Sequence, residues 1–247
     1  MCTVILRVPD APGARAGEPI RMLAVRDEDP RRPWRPLGEW WPERPGVAGV
    51  RDERAGGAWL AVDAAADRVA VLLNRLDHSD RPDSAVTTRG AVALDAVAGT
   101  MPGSAPAMRG FNLVSLDSAG ARIVSWDGIE RREASVPPGT HMIAHDDLDD
   151  PVTARITRWL PSFAAASTAG ERWWEPWLEI LRDSAELAGD DPEAIITQRT
   201  FEGAASMSLL LCAATVPMRS SGEPGARADV RYAELAEPGH LGDVDFA

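Results

Sequence analysis

The residues best suited to chemistry in this chain are Cys2, Arg26 and Asp27. Cys2 follows the initiator methionine and is small enough for methionine removal, which would leave a thiol and a free α-amino group on one residue. An α-amino group titrates at about 7.7–8.0 and a thiol at about 8.5, so near neutral pH the amine can act as base for its own neighbouring nucleophile without any histidine. An arginine cation beside the sulfur would favour the thiolate, and the Asp27 carboxylate could accept hydrogen bonds from the terminal ammonium. The competing readings are a small buried residue opening an edge strand, for Cys2, and a solvated charge cluster at a strand end, for Arg26, Asp27 and Glu28.

Other chemistries are excluded by residue type. All 26 basic residues are arginine, which removes lysine Schiff bases, a Walker lysine and a serine–lysine dyad. A net charge of −12 argues against a nucleic-acid partner. His141 and His145 stand four apart beside Asp146 and Asp147, a zinc spacing on a helix. Pro137-Pro138-Gly139-Thr140 instead opens an extended strand, where residues four apart lie roughly 13 Å from one another. No metal and no cofactor is therefore expected. Cys2 and Cys212 fit a reducing compartment better than a disulfide framework, and the absence of a charged and apolar leader points to the cytoplasm. The longest apolar run, Leu209 to Val216, is too short to span a bilayer.

The elements that position these groups begin with two apolar runs, residues 1–8 and 19–28, joined by the turn-rich stretch 12–17. Such a hairpin returns Arg26 and Asp27 to the side of Cys2. Residues 29–55 are broken by Pro30, Pro33, Pro36, Pro42 and Pro45 and read as a long ordered loop. Its Trp34, Trp40 and Trp41 either line a pocket or close an open side of the core. Gly56-Gly57 introduces a second hairpin, residues 58–62 and 69–74, expected beside the first and ending in Asn74. A short helix within 88–97 ends at Gly99. Strands at 111–117 and 122–127 are expected to open a second sheet, with Asn112 either aimed into the site or satisfying a turn. From Asp149 to Gly189 the pattern is helical, with Val152, Ile156, Trp159 and Leu160 on one face, then Trp174, Trp177, Leu178 and Leu181. A third helical piece follows Asp190-Asp191-Pro192. Strands at 205–216 and 226–235 end the chain, with Cys212 in the core.

Met1-Cys2, Arg26-Asp27-Glu28, Gly56-Gly57-Ala58-Trp59-Leu60, Val69 to Asn74 and Gly110-Phe111-Asn112-Leu113 together resemble the NRDE family, also called the transport and Golgi organisation protein 2 family. Its members resemble N-terminal nucleophile hydrolases of the penicillin acylase and bile-salt hydrolase kind. The resemblance implies an α+β fold in four layers, an αββα sandwich of two antiparallel sheets packed face to face, as one domain over residues 1–247. It implies Cys2 as nucleophile and Asn74 as the side-chain donor to an oxyanion, a neutral group fixed in advance. His145 falls where the family has an asparagine, Val25 replaces the name-giving asparagine, and the arginine expected near Gly203 to Ser206 is missing. The expected function is an N-terminal cysteine amide hydrolase or acyl transferase for a small molecule with an apolar part, site residues Cys2, Arg26, Asp27, Asn74, Asn112 and His145. The alternative is a haem or lipid carrier on the same fold, with haem then the cofactor.

Overall fold

Five of the six side chains of β1 (Thr3–Val8) are buried, and a strand apolar on both faces needs a layer packed on each side. Our computed structural model describes residues 2–10, 18–201, 204–218 and 227–246. The turn stretch 12–17, Met1 and Gly203 therefore lie outside the described residues. β1 pairs antiparallel with β2 (Ile20–Glu28), from Thr3↔Val25 to Arg7↔Arg21. On its other side runs β10 (Gly139–Ile143), so the strand that Cys2 precedes is internal and not an edge. β2 in turn pairs with the long β12 (Ala204–Val216), which β11 (Gln198–Phe201) and β13 (Asp229–Glu234) flank one after the other.

The second sheet is an antiparallel meander: β3 (Trp34–Gly38), β4 (Val47–Asp52), β5 (Ala58–Asp63), β6 (Arg68–Asn74), β7 (Phe111–Asp117), β8 (Gly120–Trp126) and β9 (Arg131–Ser135). Three sequence expectations change here. Residues 29–55 hold two strands; Pro36 is tolerated because β3 is the outermost strand, with a neighbour on one side only. The β5–β6 hairpin belongs to the facing sheet and not beside the first hairpin. β7 extends that sheet, pairing Asn74↔Phe111, and does not open a new one. Local turn signals announce hairpins, but which sheet a hairpin joins is decided by which apolar faces meet.

Three buried clusters mark three interfaces between four layers. The first holds Val4, Leu6, Met22 and Ala24 against Leu60, Val62, Val71 and Leu73, between the sheets. The second packs Ile5, Leu23, Val25 and Leu211 under α2 (Ala154–Ala165) and α3 (Glu175–Ala185). The third packs Ala61, Ala70 and Leu113 under α1 (Val92–Val97), which Gly99 ends at φ +89°. The architecture is thus an α+β sandwich with helices outside both sheets. Within the helical layer Trp173, Trp177 and Phe163 pack edge to face, with centroids 5.5 and 5.7 Å apart.

Two helical expectations are corrected. Val152 is 86 % exposed and precedes α2: the Asp150 carboxylate accepts from the Val152 N–H and the Thr153 hydroxyl, which ties those residues into a turn. No third helix forms at 190–197. Asp191 accepts from the Glu193 N–H, Ile195 donates to Ser184 Oγ, and the few residues before β11 are too short a run to repay helix nucleation. Among the described residues no helix is long and apolar enough to cross a membrane.

Candidate active site

The alternation of β2 divides its charged end between two layers. Met22 and Ala24 face the opposite sheet and Leu23 and Val25 face the helices, so Arg26 continues the first row and Asp27 the second. Cys2 stands in phase with Val4 and Leu6, and it packs against the inter-sheet cluster while keeping partial exposure. Its thiol donates to the Asp27 backbone carbonyl at 3.6 Å.

Cys2, Arg26, Trp59, Leu72, Asn74 and Arg89 line one pocket of about 150 Å³. Its far wall depends on two glycines. A Cβ on Gly57 would come within 1.9 Å of the Gly90 carbonyl oxygen, and the bare backbone there lets Ala58 N–H donate to Gly90 O at 3.0 Å. This close approach brings residues 88–90, which carry Arg89, against the start of β5.

Carboxylates also line this pocket, but they are already engaged. Asp52 takes a 2.6 Å hydrogen bond from Arg32 Nε and lies 3.7 Å from Arg26 Nη2, while Glu28 lies 3.8 Å from the same nitrogen. Burial pulls the Asp52 carboxyl upward, yet the Ala55 N–H and Arg32 outweigh it and hold it below its ordinary value. Three residues that line the pocket keep donor capacity to spare. Among the described residues, Arg26 Nη1 and the Trp59 indole N–H are buried without an acceptor, each at a cost of about 1–3 kcal/mol if left so. Arg89 gives Nη1 to Gly110 O at 2.6 Å and has no carboxylate within ion-pair distance among the described residues. Its pKa is pushed down first by burial and next by Arg32.

Arg26 favours the Cys2 thiolate, in the direction expected from the sequence, but it is outweighed. Burial, and then the Asp27 carboxylate, push the thiol up, and Arg26 opposes them only as the smallest of the contributions.

Asp27 lies in a saturated cluster on the helix side. Its Oδ1 accepts from Ser208 at 2.7 Å and its Oδ2 from Thr197 at 3.0 Å. Arg155, 1 % exposed, stands 4.0 Å from Oδ2 and donates to Thr3 Oγ1 at 2.9 Å. No arginine stands at Ala204 to Ser206, but this cation from α2 sits against Asp27 all the same. Its role was hidden because an arginine in a charged helix reads as solvated. Val25 packs under the helices, so the departure from the family pattern there falls on the face away from the pocket.

The remaining expected site residues separate. Asn74 ends β6, exposed, and lines the Cys2 pocket. Asn112 does not line it: this fully buried amide donates to Ala144 O and Asp146 O at 3.3 and 2.7 Å and accepts from Ser125 and Arg75, which ties β7 to the turn after β10. His145 sits in that turn with Nε2 3.1 Å from Asp146, its pKa pushed down mainly by burial. His141 faces elsewhere, with Nδ1 2.6 Å from Asp149. The groups that sequence reading missed are Trp59 and Arg89, and Gly56-Gly57 was the available signal for their close packing.

A search of curated proteins returned no match. A family model described as Transport and Golgi organisation 2 matches residues 1–208, most of the 247-residue chain, and it covers the whole pocket. The chain belongs to the Transport and Golgi organisation 2 family.

Proposed function

We propose that the chain is a cysteine-dependent amide hydrolase or acyl transferase for small molecules, acting through a thioester on Cys2. The observation that carries this reading is that Cys2 lines a small polar pocket with Arg26, Asn74 and Arg89, where Arg26 keeps a buried donor without an acceptor among the described residues. With Met1 removed, the Cys2 amine takes the thiol proton as the sulfur attacks the carbonyl carbon. The C–N bond breaks, the departing amine leaves with that proton, and water or a second amine takes the acyl group from sulfur. The Asn74 amide, with a backbone N–H, holds the oxyanion of the tetrahedral intermediate. Trp59 and Leu72 supply apolar contact for the acyl part. Asp27 acts from behind, as the carbonyl that orients the thiol and as the anchor of the strand end.

The haem or lipid carrier draws no support from this pocket, whose volume of about 150 Å³ lies below the roughly 300–1,000 Å³ that encloses drug-sized ligands. Intact-mass spectrometry tests the reading: Met1 is expected to be absent from the mature protein. Retention of Met1 on most molecules would remove the α-amine from its role and end this mechanism.

A further inference from the structure

We propose that the Cys2 pocket selects substrates carrying a carboxylate close to the reacting carbonyl, bound by Arg89, Arg26 Nη1 and the Trp59 indole N–H. This rests on the reading of Cys2 as nucleophile and adds the substrate class. The observation behind it is an imbalance. Arg26 is 2 % exposed and Trp59 7 %, and each keeps one buried donor without an acceptor. Of the six buried side-chain polar atoms without a partner among the described residues, these are the two whose residues line the pocket with Cys2, and a ligand with acceptor oxygens would satisfy them. Arg89 adds a cation whose one polar partner among the described residues is a backbone carbonyl.

The acidic groups around the pocket do not fill this role. Glu28 and Asp52 are shared between Arg26 and Arg32, and the Asp27 carboxylate is turned to Thr197, Ser208 and Arg155. A carboxylate fits what is left: it is small, planar, and offers lone pairs to several N–H donors at once. An amide without an anionic group would leave the Arg89 charge and one or both orphaned donors unmatched, and so would be discriminated against.

Cys2 itself is the reporter. Iodoacetate and iodoacetamide alkylate a thiolate by the same displacement, in which the S–C bond forms as iodide leaves, but only iodoacetate carries a carboxylate. Cys212 is fully buried and stays silent in the folded protein. The ratio of iodoacetate to iodoacetamide rates at Cys2, divided by the same ratio in denaturant, is expected to be about tenfold in favour of iodoacetate, the worth of one good charge-assisted hydrogen-bond set. Arg89→Gln, shown to be folded by its thermal transition, should bring the ratio near that of the unfolded chain, and Arg89→Lys should keep most of it. Acetate should protect Cys2. An equal ratio in folded and unfolded protein, or one that Arg89→Gln leaves unchanged, would overturn the proposal. Protection by inorganic phosphate and not by acetate would do so too, by assigning the donors to a phosphoryl group. Amide turnover plays no part in this readout. A protein that prefers iodoacetate but captures no acyl group keeps the carboxylate site and loses the hydrolase reading.

Discussion

Arg26 and Asp27 are adjacent on β2 and both nearly buried, yet one faces the pocket and the other the helices, and their surroundings differ completely. Around Asp27 two hydroxyls and a guanidinium converge on one carboxylate, so the cluster is complete as folded. Around Arg26 a guanidinium nitrogen and the indole of Trp59 have no acceptor among the described residues, although the Arg26 charge lies 5.9 Å from the Trp59 ring centroid. A completed polar cluster inside a sandwich holds elements together. An incomplete one, opening on a thiol, is where a ligand belongs. The same two letters of a family motif thus do different work because strand geometry sends them to different layers.

The comparison predicts unequal consequences. Asp27→Ala leaves the buried Arg155 charge without its carboxylate and should cost about 3–5 kcal/mol in urea unfolding; a loss below about 1 kcal/mol would mean that the cluster is not structural. Val25→Asn restores the family's asparagine, but under the helices, and should cost about 1–3 kcal/mol for a buried amide without partners. Iodoacetamide labelling of Cys2 should be unaffected by it, and a marked change there would place Val25 on the wrong face. Arg26→Met should alter stability by less than about 1 kcal/mol, since Arg32 still holds Asp52 and Glu28. It should nevertheless slow labelling of Cys2 near neutral pH and not in denaturant, because the thiol loses a neighbouring cation.

The smallest effect concerns pH. Asp149, chiefly by hydrogen bonding, raises His141 above its ordinary 6.5. The stability that this pair adds is fully present below that unfolded value and is lost as pH rises through the raised folded value. His141→Gln should therefore lower the thermal midpoint more at acid than at alkaline pH, and an effect of equal size at both would remove the charge from the account.

Much of the sandwich was legible because its strands are long apolar runs bounded by turns: β1, β2, β5 to β8, β12 and β13 all follow from pattern. The closeness of Cys2 and Arg26 followed from the hairpin alone. Strands β3 and β4 were hidden by prolines that an outermost strand tolerates. Sheet membership was hidden because strands buried on both faces carry no preference readable from alternation. Of the expected site residues, Cys2, Arg26, Asp27 and Asn74 line one pocket, with the Asp27 carboxylate engaged by Thr197 and Ser208. Asn112 proved to be a fastening between β7 and the turn after β10, where its four polar contacts are made with partners 13 to 37 residues away in sequence. Arg89 is brought against the start of β5 by the Gly57–Gly90 contact, a tertiary event for which Gly56-Gly57 was the one signal in the sequence.

The central claim is that Cys2 carries an acyl group during the reaction. Incubating the protein with a panel of activated amides and thioesters, some bearing a carboxylate, and mapping the peptides by mass should find acyl adducts at Cys2. Cys2→Ser should be strongly slowed and Asn74→Ala slowed by about 10²–10³-fold, the usual loss for one oxyanion donor. Absence of an adduct on every substrate, while the folded protein still alkylates at Cys2, would contradict the account.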